Sequence, residues 1–372
     1  MSRLQDLYDQ HGQSPWLDNL RRGWITSGEL ERWVGRGVRG ITSNPSIFQK
    51  AIEKASDYDE QFSDSVSGGG SVEHAYWDLV TTDIGSGLAL LRPVYDASDG
   101  LDGYVSVEVA PSLASDTDAT IASARELHTR IDAPNLYVKI PGSEPGVPAI
   151  RTMLSEGRSI NITLLFSLER YGDVIDAYLD GLEAYAATGG DLAPVSSVAS
   201  FFVSRVDTEV DRRLEKIGTD EALSLRGKAA VANAQLAYKL FTERFSGDRW
   251  DALAAKGARV QRPLWASTST KSPDLPDTLY VDELIAPDTV NTMPEATLEA
   301  FEDHGTLART ADADFDAAEA LINRLGDVGV DMRDVTKVLE EEGVAAFEKS
   351  YDEVLGALQT KADALGHPPQ EA

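Results

Sequence analysis

Short apolar runs rich in β-branched residues alternate along the chain with longer segments in which apolar residues recur at helical spacing. This alternation predicts parallel strands joined by crossover helices. Eight strands are predicted, at Pro15–Leu20, Gly40–Asn44, Tyr104–Val109, Leu136–Pro141, Ser159–Phe166, Val195–Val203, Arg262–Ser267 and Leu279–Ile285. Eight strand–helix units without a break in composition predict an α/β fold, a single (β/α)8 TIM barrel domain over residues 1–372.

Helical periodicity accounts for the segments between the strands. Residues 124–131 and 175–182 follow the i, i+3, i+4, i+7 spacing and predict two crossover helices. The interval 45–104 is too long for one crossover, so we expect two or three helices there, broken at Ser67–Ser71. Its glycine triplet, Gly68–Gly70, suggests no function. Three more helices are expected at the C-terminal end, at Pro294–His304, Asp314–Leu325 and Asp331–Leu365.

Composition narrows the possible partners. The net charge of −28 repels nucleic acid and anionic membranes over most of the surface, so an anionic ligand must be small and held locally. The absence of cysteine and the scattering of five histidines argue against redox or zinc chemistry, and no metal is predicted. Met1–Gln13 has no apolar signal core, and no run approaches the roughly 18 apolar residues of a membrane span, so we expect a cytoplasmic protein.

Polar residues inside the apolar runs can be assigned to one face of each strand, because successive side chains alternate. In Val105–Val109 the valines occupy one face, and Ser106 and Glu108 occupy the other. In Ile160–Leu164, Asn161 and Thr163 likewise occupy the face opposite the apolar residues. Thr42 and Asn44, near the end of the second predicted strand, also share one face. Asp18, Ser200 and Ser267 fall on the same face as apolar neighbours, so their inward placement is less secure. Barrel enzymes carry their chemistry at the carboxyl ends of the strands, so this polar ring predicts a site.

Lys139 is the sharpest candidate. Of eleven lysines it alone lies inside a strand-like apolar run, Leu136–Ile140. Burial of an amine favours its neutral form, the form that attacks a carbonyl to make a Schiff base. The plain alternative is that Lys139 and Glu108 form a structural ion pair in the core. A structural pair alone would not require so many other polar groups around the same mouth, since each buried polar group needs a partner.

Two cations follow strands at the same mouth. Arg205 comes just after the sixth predicted strand, and Lys271 ends the hydroxyl-rich run Ser267–Lys271 after the seventh. Loops late in the strand order commonly bind phosphate in barrels, which makes both residues candidate anion ligands. A solvated loop charge is the alternative for Lys271.

These motifs resemble those of transaldolases. Gly40–Phe48 is similar to the N-terminal signature of that family, and Tyr137–Gly142 resembles its Schiff-base lysine strand. Asn161–Ser167 and Ser200–Arg205 are also similar, and with the segments Tyr280–Leu284 and Asn291–Pro294 they fit a longer, actinobacterial-type branch.

The resemblance implies a transferase of the pentose phosphate pathway that uses no cofactor. It would move a dihydroxyacetone unit from sedoheptulose 7-phosphate or fructose 6-phosphate to glyceraldehyde 3-phosphate or erythrose 4-phosphate. Its implied partners are small sugar phosphates, not nucleic acid or membrane, and both a monomer and a homodimer stay open. The implied catalytic residues are Lys139 as nucleophile, Glu108 as acid and base through a water held by Thr163, and Asp18 as base for the C4 hydroxyl.

The resemblance also assigns the substrate-binding residues. The implied hydroxyl ligands are Asn44, Asn161 and Ser200, and Thr42, Phe202 and Ser267 complete the predicted binding site. Arg205 matches the family's phosphate arginine. Where many transaldolases have a second arginine this chain has Ser269, and Lys271 is the predicted substitute.

Two alternatives are weighed against transfer. A fructose 6-phosphate aldolase would share the lysine and the barrel but release free dihydroxyacetone, and such relatives usually have tyrosine where Phe202 stands here. A non-catalytic sugar-phosphate-binding protein would have lost the lysine or the carboxylates, whereas Lys139, Glu108 and Asp18 are all present.

Overall fold

In the computed structural model, which describes residues 2–366, seven parallel strands form one curled sheet. The strands are β1 (Gln13–Leu17), β2 (Val105–Glu108), β3 (Leu136–Pro141), β4 (Ile160–Leu165), β5 (Ser197–Phe202), β6 (Arg262–Ala266) and β7 (Thr289–Met293). Their order is β1-β7-β6-β5-β4-β3-β2, which leaves β1 and β2 at the two ends. All pairs are parallel, as expected for strands joined by crossover helices.

A single residue, Ile41, closes this sheet into a barrel. It forms parallel bridges to Leu17 of β1 and to Val105 of β2. Its N–H donates to the carbonyl of Tyr104, and its own carbonyl accepts from the N–H of Ser106. The ring therefore has eight positions, and the structure confirms the predicted α/β barrel.

The predicted second strand, Gly40–Asn44, is correct in place but wrong in length, since only Ile41 pairs. The cause lies three residues further on. Asn44 is the N-cap of the next helix, its side chain accepts from the N–H of Ile47, and Pro45 occupies the first turn. This capping turns the chain out of the sheet.

The predicted eighth strand, Leu279–Ile285, is wrong. This segment begins with a one-turn helix, Leu279–Asp282, and continues as a buried loop. Its buried apolar residues recur at Val281 and Ile285, four apart, which is a helical spacing. The last strand of the barrel is instead β7. Its polar Asn291 interrupts the apolar run that is typical of a buried strand, so the strand was not predicted.

The helices surround the barrel and extend it at the C-terminal end. In chain order they are α1 (Arg3–His11), α2 (Arg22–Thr26), α3 (Glu29–Arg36), α4 (Pro45–Lys54), α5 (Asp59–Ser67), α6 (Val72–Ala97), α7 (Thr117–Ile131), α8 (Gly146–Ser155), α9 (Leu168–Ala187), α10 (Ser204–Ile217), α11 (Asp220–Leu223), α12 (Ala229–Arg244), α13 (Asp248–Ala254), α14 (Leu279–Asp282), α15 (Glu295–His304), α16 (Phe315–Asp327) and α17 (Met332–Ala364). The helices predicted at 124–131 and 175–182, the break at Ser67–Ser71 and the three C-terminal helices are confirmed. Within residues 2–366, no helix has the length and apolar character needed to cross a bilayer.

Asp102 organises the amino-terminal end of the barrel. Its carboxylate, fully buried, accepts hydrogen bonds from Ser14 (2.8 Å), Trp16 Nε1 (3.1 Å), Arg39 Nε (2.7 Å) and Arg262 (3.0 Å). Burial by itself would raise the pKa of Asp102, but the two guanidinium groups outweigh it and lower that pKa. This end of the barrel is therefore closed by a charge network in which the central acid is fully paired.

We expect Asp102→Asn to lower the free energy of unfolding by about 3–5 kcal/mol, because Arg262 would stay buried without its countercharge. The midpoint of urea unfolding measures the change. Asp96→Asn is the matched control: it removes an exposed pair with Arg92 and should cost at most about 1 kcal/mol. Equal shifts in the two variants would contradict a structural role for the Asp102 network.

Candidate active site

A cavity of about 130 Å³ opens at the carboxyl ends of the strands. Ten of the twelve site residues predicted from the sequence line it: Asp18, Thr42, Asn44, Lys139, Thr163, Ser200, Phe202, Arg205, Ser267 and Lys271. The other two, Glu108 and Asn161, lie behind this first layer and contact residues that line it. The polar ring that the alternation of the strands predicted is thus brought together at one end of the barrel.

Lys139 and Glu108 face each other across neighbouring strands. They are directly opposite in the register of β3 and β2, and Lys139 Nζ lies 3.0 Å from Glu108 Oε2. Lys139 also donates a hydrogen bond to the carbonyl of Ser43 at 3.0 Å. Burial raises the pKa of Glu108, although the nearby lysine opposes that effect. Glu108 is consequently able to hold a proton more readily than an exposed glutamate.

Asp18 lies one residue beyond the end of β1, at the cavity wall. Thr42 Oγ1 donates a hydrogen bond to Asp18 Oδ1 at 2.7 Å and also lies 2.6 Å from the hydroxyl of Thr292. Burial raises the pKa of Asp18, and the hydrogen bond from Thr42 and the charge of Lys139 oppose the rise. The cavity therefore holds two carboxylates in different surroundings, Asp18 bonded to a hydroxyl and Glu108 paired with an amine.

The amide and hydroxyl groups are fixed by hydrogen bonds behind the cavity wall. Ser200 donates to Asn161 Oδ1 at 2.7 Å, and Asn161 Nδ2 donates to Ser106 at 3.0 Å. Asn44 uses its side-chain oxygen to cap α4, which leaves its amide NH2 group as the donor. The hydroxyl of Thr163 is buried and has no hydrogen-bond partner among the described residues. Thr163 can therefore bond to a ligand or a water.

Backbone irregularities occur at two strand ends around the cavity. Leu164 in β4 has φ +60°, and the pairing of β4 with β5 shifts register between Ile162 and Leu165. Ser267, one residue after β6, has φ +56°, and its hydroxyl lies 2.9 Å from that of Ser204. Left-handed conformations of non-glycine residues and bulges are concentrated near functional sites, where they aim side chains.

Two cations at the cavity have no carboxylate partner within salt-bridge distance among residues 2–366. They are Arg205, at the first turn of α10, and Lys271, which donates to Ser269 Oγ at 2.6 Å. Burial lowers the pKa of Arg205. Partial burial and the charge of Arg205 lower the pKa of Lys271. Cations that line one cavity without a carboxylate within salt-bridge distance, beside the N-terminus of a helix, favour an anion between them.

Several residues that line the cavity were not predicted as site residues from the sequence. Phe347, from the C-terminal helix α17, lines the cavity together with Thr292 and Pro294 of the β7 end. Thr292 could have been predicted only if Thr289–Met293 had been assigned as a strand. The alternation of side chains along that strand then places Thr292 on the same face of the barrel as Thr42. The sequence gives no sign of Phe347, since its position depends on how α17 packs across the barrel.

The comparisons with known proteins indicate one family. The family model described as transaldolase/fructose-6-phosphate aldolase matches residues 15–358. The chain is 54% identical to the transaldolase of Thermobifida fusca over 356 residues, which cover 95% of this chain and 96% of that protein. It is 52% identical to the transaldolase of Mycolicibacterium smegmatis, covering 95% and 96%. It is also 51% identical to transaldolase 1 of Streptomyces coelicolor, covering 98% and 96%. The chain therefore belongs to the transaldolase/fructose-6-phosphate aldolase family.

Proposed function

We propose that this enzyme transfers a dihydroxyacetone unit through a Schiff base on Lys139. The donor is sedoheptulose 7-phosphate or fructose 6-phosphate, and the acceptor is glyceraldehyde 3-phosphate or erythrose 4-phosphate. The observation that carries the proposal is the amine of Lys139, 3.0 Å from Glu108, at the wall of a cavity that also holds Asp18 and two cations without a salt-bridge partner among residues 2–366. Relatives named transaldolase at 51–54% identity over nearly the whole chain make this enzyme a transferase of the same type.

The first half of the reaction uses Lys139 and Glu108. The neutral amine attacks the C2 carbonyl of the ketose, and loss of water from the carbinolamine gives an iminium. Water leaves only if its oxygen receives a proton, and Glu108, whose pKa burial raises, is placed to donate it. The unpartnered hydroxyl of Thr163 can hold a water that relays this proton. Imine formation and hydrolysis then use the same residues in opposite directions.

The second half uses Asp18. A carboxylate that removes the proton of the C4 hydroxyl allows the C3–C4 bond to break, with its electron pair drawn toward the iminium nitrogen. The aldose phosphate leaves, and the three-carbon unit stays on Lys139 as an enamine. Asn44 and Ser200 hold its hydroxyl groups, and Asn161 orients the hydroxyl of Ser200. The acceptor aldehyde then enters, and the same steps run in reverse.

The phosphate groups are bound at the cation pair. Arg205 offers a planar fork of donors at the first turn of α10, and Lys271 offers a point charge supported by Ser269. Ser267 contributes a hydroxyl at the same edge of the cavity. Such a local site can bind a small dianion despite a net charge of −28, because an interaction a few ångströms long is screened less than the field of the distant surface.

We infer further that residues 1–372 form one domain. Both ends of the described chain pack on barrel elements, α1 on β1 and α17 on α4 and β4. Cytoplasmic location, and the choice between monomer and homodimer, stay predictions.

Borohydride trapping tests the role of Lys139. Incubation with fructose 6-phosphate and borohydride should add a dihydroxyacetone-derived mass to the peptide that contains Lys139, as mass spectrometry would show. Asp18→Asn should still be trapped without releasing an aldose phosphate, because the lysine and Glu108 remain. Glu108→Gln should slow trapping by roughly 10²–10⁴-fold, since dehydration loses its proton donor. An adduct on Lys271 instead would refute the assignment.

The pH dependence of kcat/KM tests the role of Asp18, which must be ionised to act as a base. Thr42→Val removes a hydrogen bond that favours the charged form, so the pKa of Asp18 should rise further. The acidic limb of the profile should then move to higher pH. Thr292→Val is the control, because Thr292 contacts Thr42 but not Asp18. A shift toward lower pH in Thr42→Val, or the same shift in both variants, would exclude Asp18 as the base.

The anion site can be tested by separating phosphorylated from unphosphorylated donors. Arg205→Gln should raise KM for fructose 6-phosphate about 10–150-fold, the value of one hydrogen bond to a charged group, and leave turnover of fructose nearly unchanged. Arg212→Gln is the control, an exposed arginine of the same helix paired with Glu209. Equal damage to both donors would make Arg205 a structural residue.

A further inference from the structure

The C-terminal helix α17 lies across the mouth of the barrel. One face of the helix contacts barrel elements at successive turns: a Cβ on Gly343 would meet Leu164 at 2.9 Å, Ser350 bonds to Ser46 at 2.6 Å, and the hydroxyl of Tyr351 donates to Glu73 at 2.7 Å. Phe347 lies on this face between these contacts and is 5% exposed. The helix is therefore anchored on both sides of Phe347.

Phe347 is placed over the reactive amine. Its ring lines the cavity, and the ring centroid lies 5.9 Å from Lys139 Nζ. Phe202 lines the same cavity, with Phe166 packed against it at 5.3 Å between ring centroids. Most other lining groups are hydroxyls, amides or charged side chains, so the apolar surface near Lys139 comes mainly from these rings.

Apolar surface at this place matters because the enamine on Lys139 has two fates. Its C3 can attack the aldehyde carbon of an acceptor, so that a C–C bond forms and the aldehyde oxygen takes a proton. Alternatively, C3 takes a proton that comes from water, and a second water adds to C2 of the resulting iminium. The C2–N bond then breaks, which releases dihydroxyacetone and the free amine and returns the water lost when the imine formed. Access of water to the cavity decides between these fates.

We propose that Phe347 restricts water around the Schiff base and thereby sets the ratio of transfer to release of dihydroxyacetone. The inference rests on the proposed function, since it requires the enamine on Lys139. It assigns to α17 a part in selecting the acceptor of the three-carbon unit, in addition to its packing. A residue that only stabilised the fold would lower both outcomes together and leave their ratio unchanged.

The test measures two products of the full-length enzyme with fructose 6-phosphate and erythrose 4-phosphate. These are the sedoheptulose 7-phosphate formed by transfer and the dihydroxyacetone released. Phe347→Ala should raise the ratio of released to transferred units by about tenfold or more, because a smaller side chain admits water beside the enamine. Phe347→Leu, which keeps an apolar side chain and protects against failure to fold, should raise the ratio less, by about threefold.

Val344→Ala is the matched control, an apolar truncation on the same helix at a residue that does not line the cavity. It should leave the ratio within error of the parent enzyme. An unchanged ratio in Phe347→Leu and in any folded Phe347→Ala, or an equal rise in Val344→Ala, would overturn the inference. Borohydride trapping separates this failure from that of the proposed function: a parent enzyme that neither transfers nor forms an adduct would refute the Schiff base itself.

Discussion

The rest of the active site depends on a lysine and a glutamate buried side by side inside a closed parallel barrel. Neither Lys139 nor Glu108 could be kept from water alone without a penalty of several kcal/mol, and each offsets that cost for the other. Their contact requires the register that places them opposite each other on β3 and β2. A slip of one residue would turn Lys139 toward the surrounding helices, so strand register and reactive chemistry are fixed together.

The two ends of the barrel treat buried charge differently. At the amino-terminal end, Asp102 accepts hydrogen bonds from four side chains, and its position is fully determined by the protein. At the carboxyl end, the hydroxyl of Thr163 has no partner among the described residues and Arg205 has no carboxylate within salt-bridge distance. Satisfied polar groups rigidify a core, whereas an unsatisfied group at a cavity wall can bond to a ligand or a water. The cavity with its catalytic candidates thus lies at the carboxyl end, and the paired charge network at the other.

Sequence reasoning succeeded where a local period determined the structure. The alternation of side chains placed Glu108, Asn161 and Thr163 toward the interior, because a closed barrel leaves a strand only two faces. It failed where another local interaction competed, as at Asn44, whose capping of α4 ends the strand after Ile41, and at Leu279–Ile285, whose first four residues form one turn of helix. The position of Phe347 could not be predicted from the sequence, since no pattern within α17 indicates which barrel residues the helix packs against.

The anion site combines a fixed half and an adjustable half. Arg205 is half-buried at the start of α10 and packs its guanidinium 5.3 Å from the ring of Phe202, so its position follows from the barrel. Lys271 lies on a loop, is more exposed than Arg205, and has Ser269 as its hydrogen-bond partner. A lysine is a single rotatable charge and lacks the planar fork by which arginine fixes a phosphate in one orientation. The predicted substitution of a second phosphate arginine by Lys271 would therefore keep the charge but relax the geometry. A site of this kind can accept the phosphates of sugars of different length, as a transferase with two donors and two acceptors requires.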